Sequence, residues 1–120
     1  MTELRQELRA AIEDLIQANL FVRSQLEENE RLLKEALAHI DSGLTVGETL
    51  RSLPTVEERA ANQGAVQVFY ARRSGVRTAA IRAALAEGMT VSDLAAAFGI
   101  HHETIASHVA ESAAGIDPRH

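Results

Sequence analysis

Residues 90–111, TVSDLAAAFGIHHETIASHVAE, carry the signals of two short helices joined by a tight corner. Thr90 can cap the first helix, and Asp93 places a carboxylate near its positive end. Gly99 follows where the chain must turn, a position that often needs a positive φ. Apolar side chains recur at helical spacing on both sides of the corner: Leu94, Ala95, Phe98, Ile100, Ile105 and Val109. The stretch therefore predicts a packed pair of helices.

From Ala80 to Val109 the chain resembles the helix-turn-helix domains shared by LuxR-type response regulators, region 4 of sigma factors, and resolvases or transposases. The resemblance implies that a helix at 102–112 lies in the major groove of DNA, with the preceding helix bracing it across the backbone. It rests on short motifs at corresponding places: Ala86-Glu87-Gly88, Asp93-Leu94-Ala95, Phe98-Gly99-Ile100, Glu103-Thr104-Ile105 and His108-Val109.

The resemblance also implies which side chains meet DNA. Thr104 is expected at a phosphate, and the residues expected at the bases are His101, His102, Glu103, Ala106 and Ser107. The helix departs from the family at Ala106 and Ser107, where Arg, Lys, Gln or Asn is usual, and at His101, where Ser or Thr usually caps. Histidine and serine can still bond base edges or phosphates, and Glu103 can accept from cytosine.

The charge distribution determines where phosphates can be bound. The net charge is −5, which argues against a non-specific binder of polyanions. However, no acidic residue lies between Arg59 and Glu87, and this stretch contains Arg72, Arg73, Arg77 and Arg82. We expect these four arginines to contact phosphates. The alternative is that Arg72, Arg73 and Arg77 only complement a helix C-terminus and a solvated loop.

Residues 2–40 contain neither glycine nor proline and predict one helix, about 57 Å long at about 1.5 Å per residue. Along this helix, mostly apolar side chains recur at alternating steps of three and four residues, as in a coiled coil. We therefore expect a homodimer joined through Leu8, Ile12, Leu15, Asn19, Val22, Leu26, Asn29 and Leu33. A second apolar set flanks this stripe and predicts contacts with more than one helix: Leu4, Ile16, Leu32 and Leu37. The alternative is a monomer whose long helix folds back on the rest of the chain.

The middle of the chain reads as shorter helices. Residues 44–53 predict a short helix or turn that Pro54 ends. Thr55 and Glu58 form the pattern of a capping box, which predicts a helix at 56–73. Ser74-Gly75 predicts a break before a further helix at 77–87.

These elements predict an all-α fold with a long, coiled-coil-like N-terminal helix and a C-terminal multi-helix domain that ends in a helix-turn-helix. The predicted segments are a dimerisation helix at 1–43, linking helices at 44–75, a helix-turn-helix domain at 76–114 and a frayed tail at 115–120.

Other classes of function find little support in the sequence. The absence of cysteine removes disulfides and thiol chemistry and fits the cytoplasm. No apolar run approaches the about 20 residues that a membrane helix needs. No catalytic constellation appears, so we expect neither an enzyme nor a cofactor. His101, His102, His108 and Glu111 lie close in sequence, but without HExxH or cysteine we expect no metal site.

The sequence thus predicts a dimeric, cytoplasmic DNA-binding protein, a small bacterial or phage transcriptional regulator or an architectural factor. Its expected partners are double-stranded DNA, a second copy of itself and, as one possibility, another regulatory protein; no membrane is expected. The alternative is a non-enzymatic protein–protein interaction module built on a helix-turn-helix scaffold.

Overall fold

The computed structural model describes residues 3–114, and it describes side chains for residues 3–110. Every regular element in this part of the chain is an α-helix. The predicted all-α class, in which a long N-terminal helix precedes further helices, is confirmed. None of the helices in the described range has the length and apolar character to cross a membrane. The tail predicted at 115–120 lies outside the described residues. The helices are α1 (Glu3–Asp41), α2 (Val46–Ser52), α3 (Thr55–Ala86), α4 (Val91–Phe98) and α5 (His102–Ala114).

The connection between α1 and α2 depends on two local signals. α1 ends at Asp41 as predicted, and the chain leaves it through Gly43, whose φ of 93° favours glycine. Thr45 then caps α2 with its hydroxyl, which accepts from the amide of Glu48 at 3.1 Å, while the Glu48 carboxylate accepts from the Thr45 amide at 3.2 Å. This capping box satisfies two amides at the start of a helix of seven residues.

α3 is one helix where two were predicted. The break expected at Ser74 and Gly75 is wrong, because α3 continues through both residues. Gly75 is exposed, and the helix tolerates it at a cost of about 1 kcal/mol relative to alanine. The capping box predicted at Thr55 and Glu58 is also wrong. Thr55 lies inside α3, and the amide of Glu58 donates to the carbonyl of Pro54 at 2.9 Å.

The chain forms two compact units, and the first consists of Met1–Leu15 and Arg72–His120. Its core is closed by three large side chains that are at most 2% exposed: Ile81, Leu94 and Ile105. Smaller or half-buried apolar residues pack around these three: Ala84, Leu85, Val91, Ala95, Ile100 and Val109. One residue from each of α3, α4 and α5 therefore holds the three helices together.

The second unit, Ile16–Ala71, has a thinner core. Polar contacts support the packing of its helices. Gln25 Nε2 donates to Glu58 Oε1 at 2.6 Å, and the Ser52 hydroxyl lies 2.9 Å from His39 Nδ1. The buried residues of this unit are mostly small: Ala18, Leu32, Thr49 and Ala65.

Candidate nucleic-acid interface

The start of α4 is fixed by a capping box, which confirms the cap predicted at Thr90. The Thr90 hydroxyl accepts from the amide of Asp93 at 3.1 Å, and the Asp93 carboxylate accepts from the Thr90 amide at 3.0 Å. The hydrogen bond from the Thr90 backbone, followed by that from its hydroxyl, lowers the pKa of Asp93 below its ordinary value. The carboxylate is therefore charged at neutral pH and complements the positive end of α4.

Gly99 makes the corner between α4 and α5. Its φ of 66° and ψ of 32° lie in the left-handed region, which confirms the predicted role of this glycine. The amide of Ile100 donates back to the carbonyl of Ala95 at 3.1 Å, and the Ile100 side chain packs against the core. The corner is thus closed by one backbone conformation and one apolar side chain.

The first turn of α5 is held by backbone and side-chain bonds. The His101 carbonyl accepts from the amides of Thr104, at 3.0 Å, and Ile105, at 3.3 Å. His102 Nε2 lies 3.2 Å from the hydroxyl of Ser92 on α4. These contacts orient α5 relative to α4 and involve one of the predicted base-contacting side chains.

α5 presents a polar face and a buried anchor. Ile105 is fully buried. The structure brings every residue predicted at the bases or at the α5 phosphate contact to the protein surface: His101, His102, Glu103, Thr104, Ala106 and Ser107. Their contact with DNA remains a prediction.

The predicted phosphate contacts divide into two groups. Arg72 and Arg73 are exposed and Arg77 is half-buried, and none of them forms an ion pair with another described residue. Arg82 instead donates from Nη1 to Glu7 Oε2 at 2.9 Å. The stretch between Arg59 and Glu87 has no acidic residue of its own, but Glu7 on α1 brings a carboxylate to it. This carboxylate weakens the positive potential at Arg82.

A second long-range ion pair joins the same parts of this unit. Arg5 pairs with Glu87, and the hydrogen bond from Arg5 lowers the pKa of the Glu87 carboxyl. Residues separated by 75 and 82 positions in the chain form these two pairs. Periodicity carries no signal for such pairs, so neither pair could be predicted from the sequence.

An apolar groove of about 730 Å³ lies on the same unit. Phe98, one of the apolar side chains predicted at helical spacing on α4, keeps 37% of its surface exposed. It lines this groove together with Leu8, Ile12 and Met89. The Arg5–Glu87 pair borders the groove, so positive and negative charge are balanced there. The volume suits a small ligand, but the balanced charges define no ligand class.

The residues predicted to join two copies fall into two sets on α1. Leu8, Leu15, Val22 and Asn29 are half-buried within their own chain, whereas Ile12, Asn19, Leu26 and Leu33 are exposed. The second set therefore offers more of its surface to another molecule than the first. Dimerisation itself remains a prediction.

Within the described residues no group of three or more His, Asp or Glu side chains is placed to hold a metal ion; the side chain of Glu111 lies outside them. No protein family model matches the chain, and comparisons with curated proteins and with solved structures give no match either. Function is therefore inferred from the residues and their geometry.

Proposed function

We propose that this protein is a homodimeric DNA-binding protein that inserts the first turns of α5 into the major groove. The observation that carries the proposal is the placement of α5. Ile105 is fully buried in a core shared with α3 and α4, while His102 and Ser107 are exposed on the same helix. A recognition helix needs this combination, because its base contacts require a fixed orientation.

The exposed face of α5 has the chemistry for readout of base edges. Histidine and serine can bond acceptors or donors in the major groove, and Glu103 can accept from the amino group of cytosine. Two copies would read half-sites about 34 Å apart or a multiple of that distance. These properties suit a small bacterial or phage transcriptional regulator, or an architectural factor, acting in the cytoplasm.

The binding energy would come from arginines outside α5. The described part of α5 carries no Arg or Lys, so Arg72, Arg73 and Arg77 must supply most of the phosphate contacts. Six such arginines in a dimer would release enough counterions to make affinity fall steeply with salt. A single copy should bind weakly.

Fluorescence anisotropy with labelled duplexes selected from genomic fragments tests the proposal. Affinity should fall between about 50 and about 200 mM salt, with a log–log slope of about −0.9 for each phosphate contact. Arg72→Ala combined with Arg73→Ala should reduce this slope by about 2 per chain. Arg51→Ala, which removes one exposed charge from α2, should leave it unchanged. Absence of any duplex binding at the lower salt concentration would contradict the proposal.

A second variant tests the recognition face. Ala106→Glu adds a negative charge to an exposed position of α5 and should abolish duplex binding, because the carboxylate would face base edges and phosphates. The matched control is Ala60→Glu, the same change at an exposed position of α3. Equal affinities of the two variants would place DNA elsewhere on the protein.

The alternative function is a protein–protein interaction module, which two observations favour. Glu103 lies exposed in the first turn of α5, and Glu7 neutralises Arg82. Glu7→Gln separates the two functions. It should strengthen DNA binding and steepen its salt dependence, because Arg82 would become available to a phosphate. An interaction module should show no duplex binding with either residue at position 7.

A further inference from the structure

A continuous exposed stripe runs along α1 within the unit Ile16–Ala71. Its members alternate in steps of three and four residues, the spacing that keeps side chains on one line in a coiled coil. Each of them is exposed. We call this stripe the α1 seam, and it consists of Ile16, Asn19, Arg23, Leu26, Glu30, Leu33, Leu37 and Ile40.

The α1 seam is too apolar to be an ordinary solvated helix face. Five of its eight members are Leu or Ile, and these five expose between 50% and 67% of their surface. The neighbouring stripe of Val22, Asn29 and Ala36 is half-buried within the chain, so the apolar surface of α1 exceeds what its own chain covers. Contiguous apolar surface of this kind marks an interaction site.

The two charged members of the seam indicate which partner fits. Arg23 and Glu30 lie seven residues apart, symmetrically about a point between Leu26 and Glu27. Ile16 and Leu37 are symmetric about the same point. Reversal of one copy about this point therefore places Arg23 opposite Glu30 and Ile16 opposite Leu37, and it brings Leu26 beside Leu26 of the other copy at the axis. Leu33 then lies opposite Leu20, while Asn19 and Ile40 lie opposite Lys34 and Glu13.

We propose that the α1 seam binds the seam of a second copy in antiparallel orientation, with Arg23 of each copy beside Glu30 of the other. This inference rests on the homodimer of the proposed function and specifies its interface. A two-fold axis near residues 26 and 27 makes the contact isologous, so each Arg–Glu pair occurs twice. Within the described part of its own chain, Arg23 forms no ion pair, and Glu30 pairs only with Lys34, at 3.2 Å.

The parallel arrangement fits the same seam less well. In register, it would place Arg23 against Arg23 and Glu30 against Glu30, and like charges opposed in a helix interface are unfavourable. Asn19 is the one member that favours parallel pairing, because two asparagines can bond each other in a parallel coil. Two like-charge layers outweigh one asparagine pair.

Charge reversal tests the orientation with the full-length chain. Analytical ultracentrifugation should show a dimer for the wild type. Arg23→Glu and Glu30→Arg should each raise the dimer dissociation constant by about tenfold or more, because every reversal creates two like-charge contacts. The double variant should restore dimerisation. Arg51→Glu, the same charge change on α2, is the control and should have no effect.

Single cysteines provide a second readout, since the chain has none of its own. Leu20→Cys and Lys34→Cys flank the seam. Oxidation of a mixture of the two variants should give a crosslinked heterodimer, and either variant alone should crosslink poorly. Crosslinking of each variant with itself, a monomeric wild type, or charge reversals without effect would overturn the inference. An antiparallel dimer that binds no duplex would overturn only the DNA-binding proposal.

Discussion

The two units of this protein bury their apolar residues to different degrees. The unit that contains α4 and α5 buries Ile81 and Ile105 almost completely. The unit Ile16–Ala71 buries mainly small side chains and leaves Leu33 and Leu37 exposed along α1. A closed core fixes the shape of a polar surface, whereas an incomplete core leaves apolar surface that another molecule can cover. The difference assigns recognition to the first unit and association to the second in the functions proposed above.

The largest expected effect contrasts one isoleucine from each unit. Ile105→Ala removes a fully buried side chain and should lower the free energy of unfolding by about 3 kcal/mol. Ile40→Ala removes a half-exposed side chain and should cost less than about 1 kcal/mol at dilute concentration. Urea unfolding followed by circular dichroism measures both.

The same pair also separates folding from association. Loss of Ile40 should weaken the dimer, so at the same protein concentration its apparent stability should depend on concentration less steeply than that of Ile105→Ala, because a smaller fraction of the variant is dimeric. Equal losses for the two variants at low concentration would show that the two cores do not differ.

Two glycines should respond to alanine with opposite signs. Gly99 has φ +66°, where a Cβ is strained, so Gly99→Ala should destabilise by about 1.5 kcal/mol. Gly64 lies inside α3, so Gly64→Ala should stabilise by about 1 kcal/mol. An alanine Cβ would meet no atom within 4 Å at either position, so backbone conformation alone sets the sign. Thermal unfolding measures both shifts, and shifts of the same sign would contradict this reasoning.

The two capping boxes should contribute equally despite the different cores around them. Thr90→Ala and Thr45→Ala each remove a hydroxyl that accepts from a helix amide and should each cost about 1 kcal/mol. Serine at either position keeps the acceptor and serves as the control. Amide hydrogen exchange at Asp93 and Glu48 would locate each loss, and protection unchanged by the alanine variants would rule out the caps as its source.

Local chemistry explains why the α4–α5 corner was predictable. Thr90, Asp93, Gly99 and Ile100 each act within five residues of their partners, so spacing alone encodes them. α3 was predicted less well, because the cost of one exposed glycine at Gly75 is too small to end a helix whose hydrogen bonds continue.

Long-range contacts limited prediction of the candidate interface. Because Arg82 pairs with Glu7, its charge is already partly neutralised within the protein. No local sequence pattern encodes this pair. The coiled-coil repeat on α1 posed a related problem. Apolar side chains occupy two adjacent stripes, and periodicity does not say which stripe the chain buries. Only the fold shows that Val22 faces inward while Leu26 and Leu33 stay exposed.

The smallest expected effect is the pH dependence of the stability that one capping carboxylate contributes in each unit. The Glu48 carboxylate accepts hydrogen bonds from the hydroxyl and the amide of Thr45, and the hydroxyl has the larger effect on its pKa. The Asp93 carboxylate accepts from the amide and the hydroxyl of Thr90, and there the amide has the larger effect. These bonds lower the pKa of both carboxyls below their ordinary values of 4.5 and 3.8.

A carboxyl with a lower pKa in the folded state stabilises the fold above its ordinary pKa, and this contribution disappears as the pH falls through the folded value. Glu48→Gln and Asp93→Asn should therefore be less stable than the wild type at about pH 7, and the difference should be smaller at about pH 3. Urea unfolding at both pH values measures this difference, and a difference that grows in acid would contradict it. A similar loss in both units would show that the caps depend on a few local hydrogen bonds, whether or not the core beside them is closed.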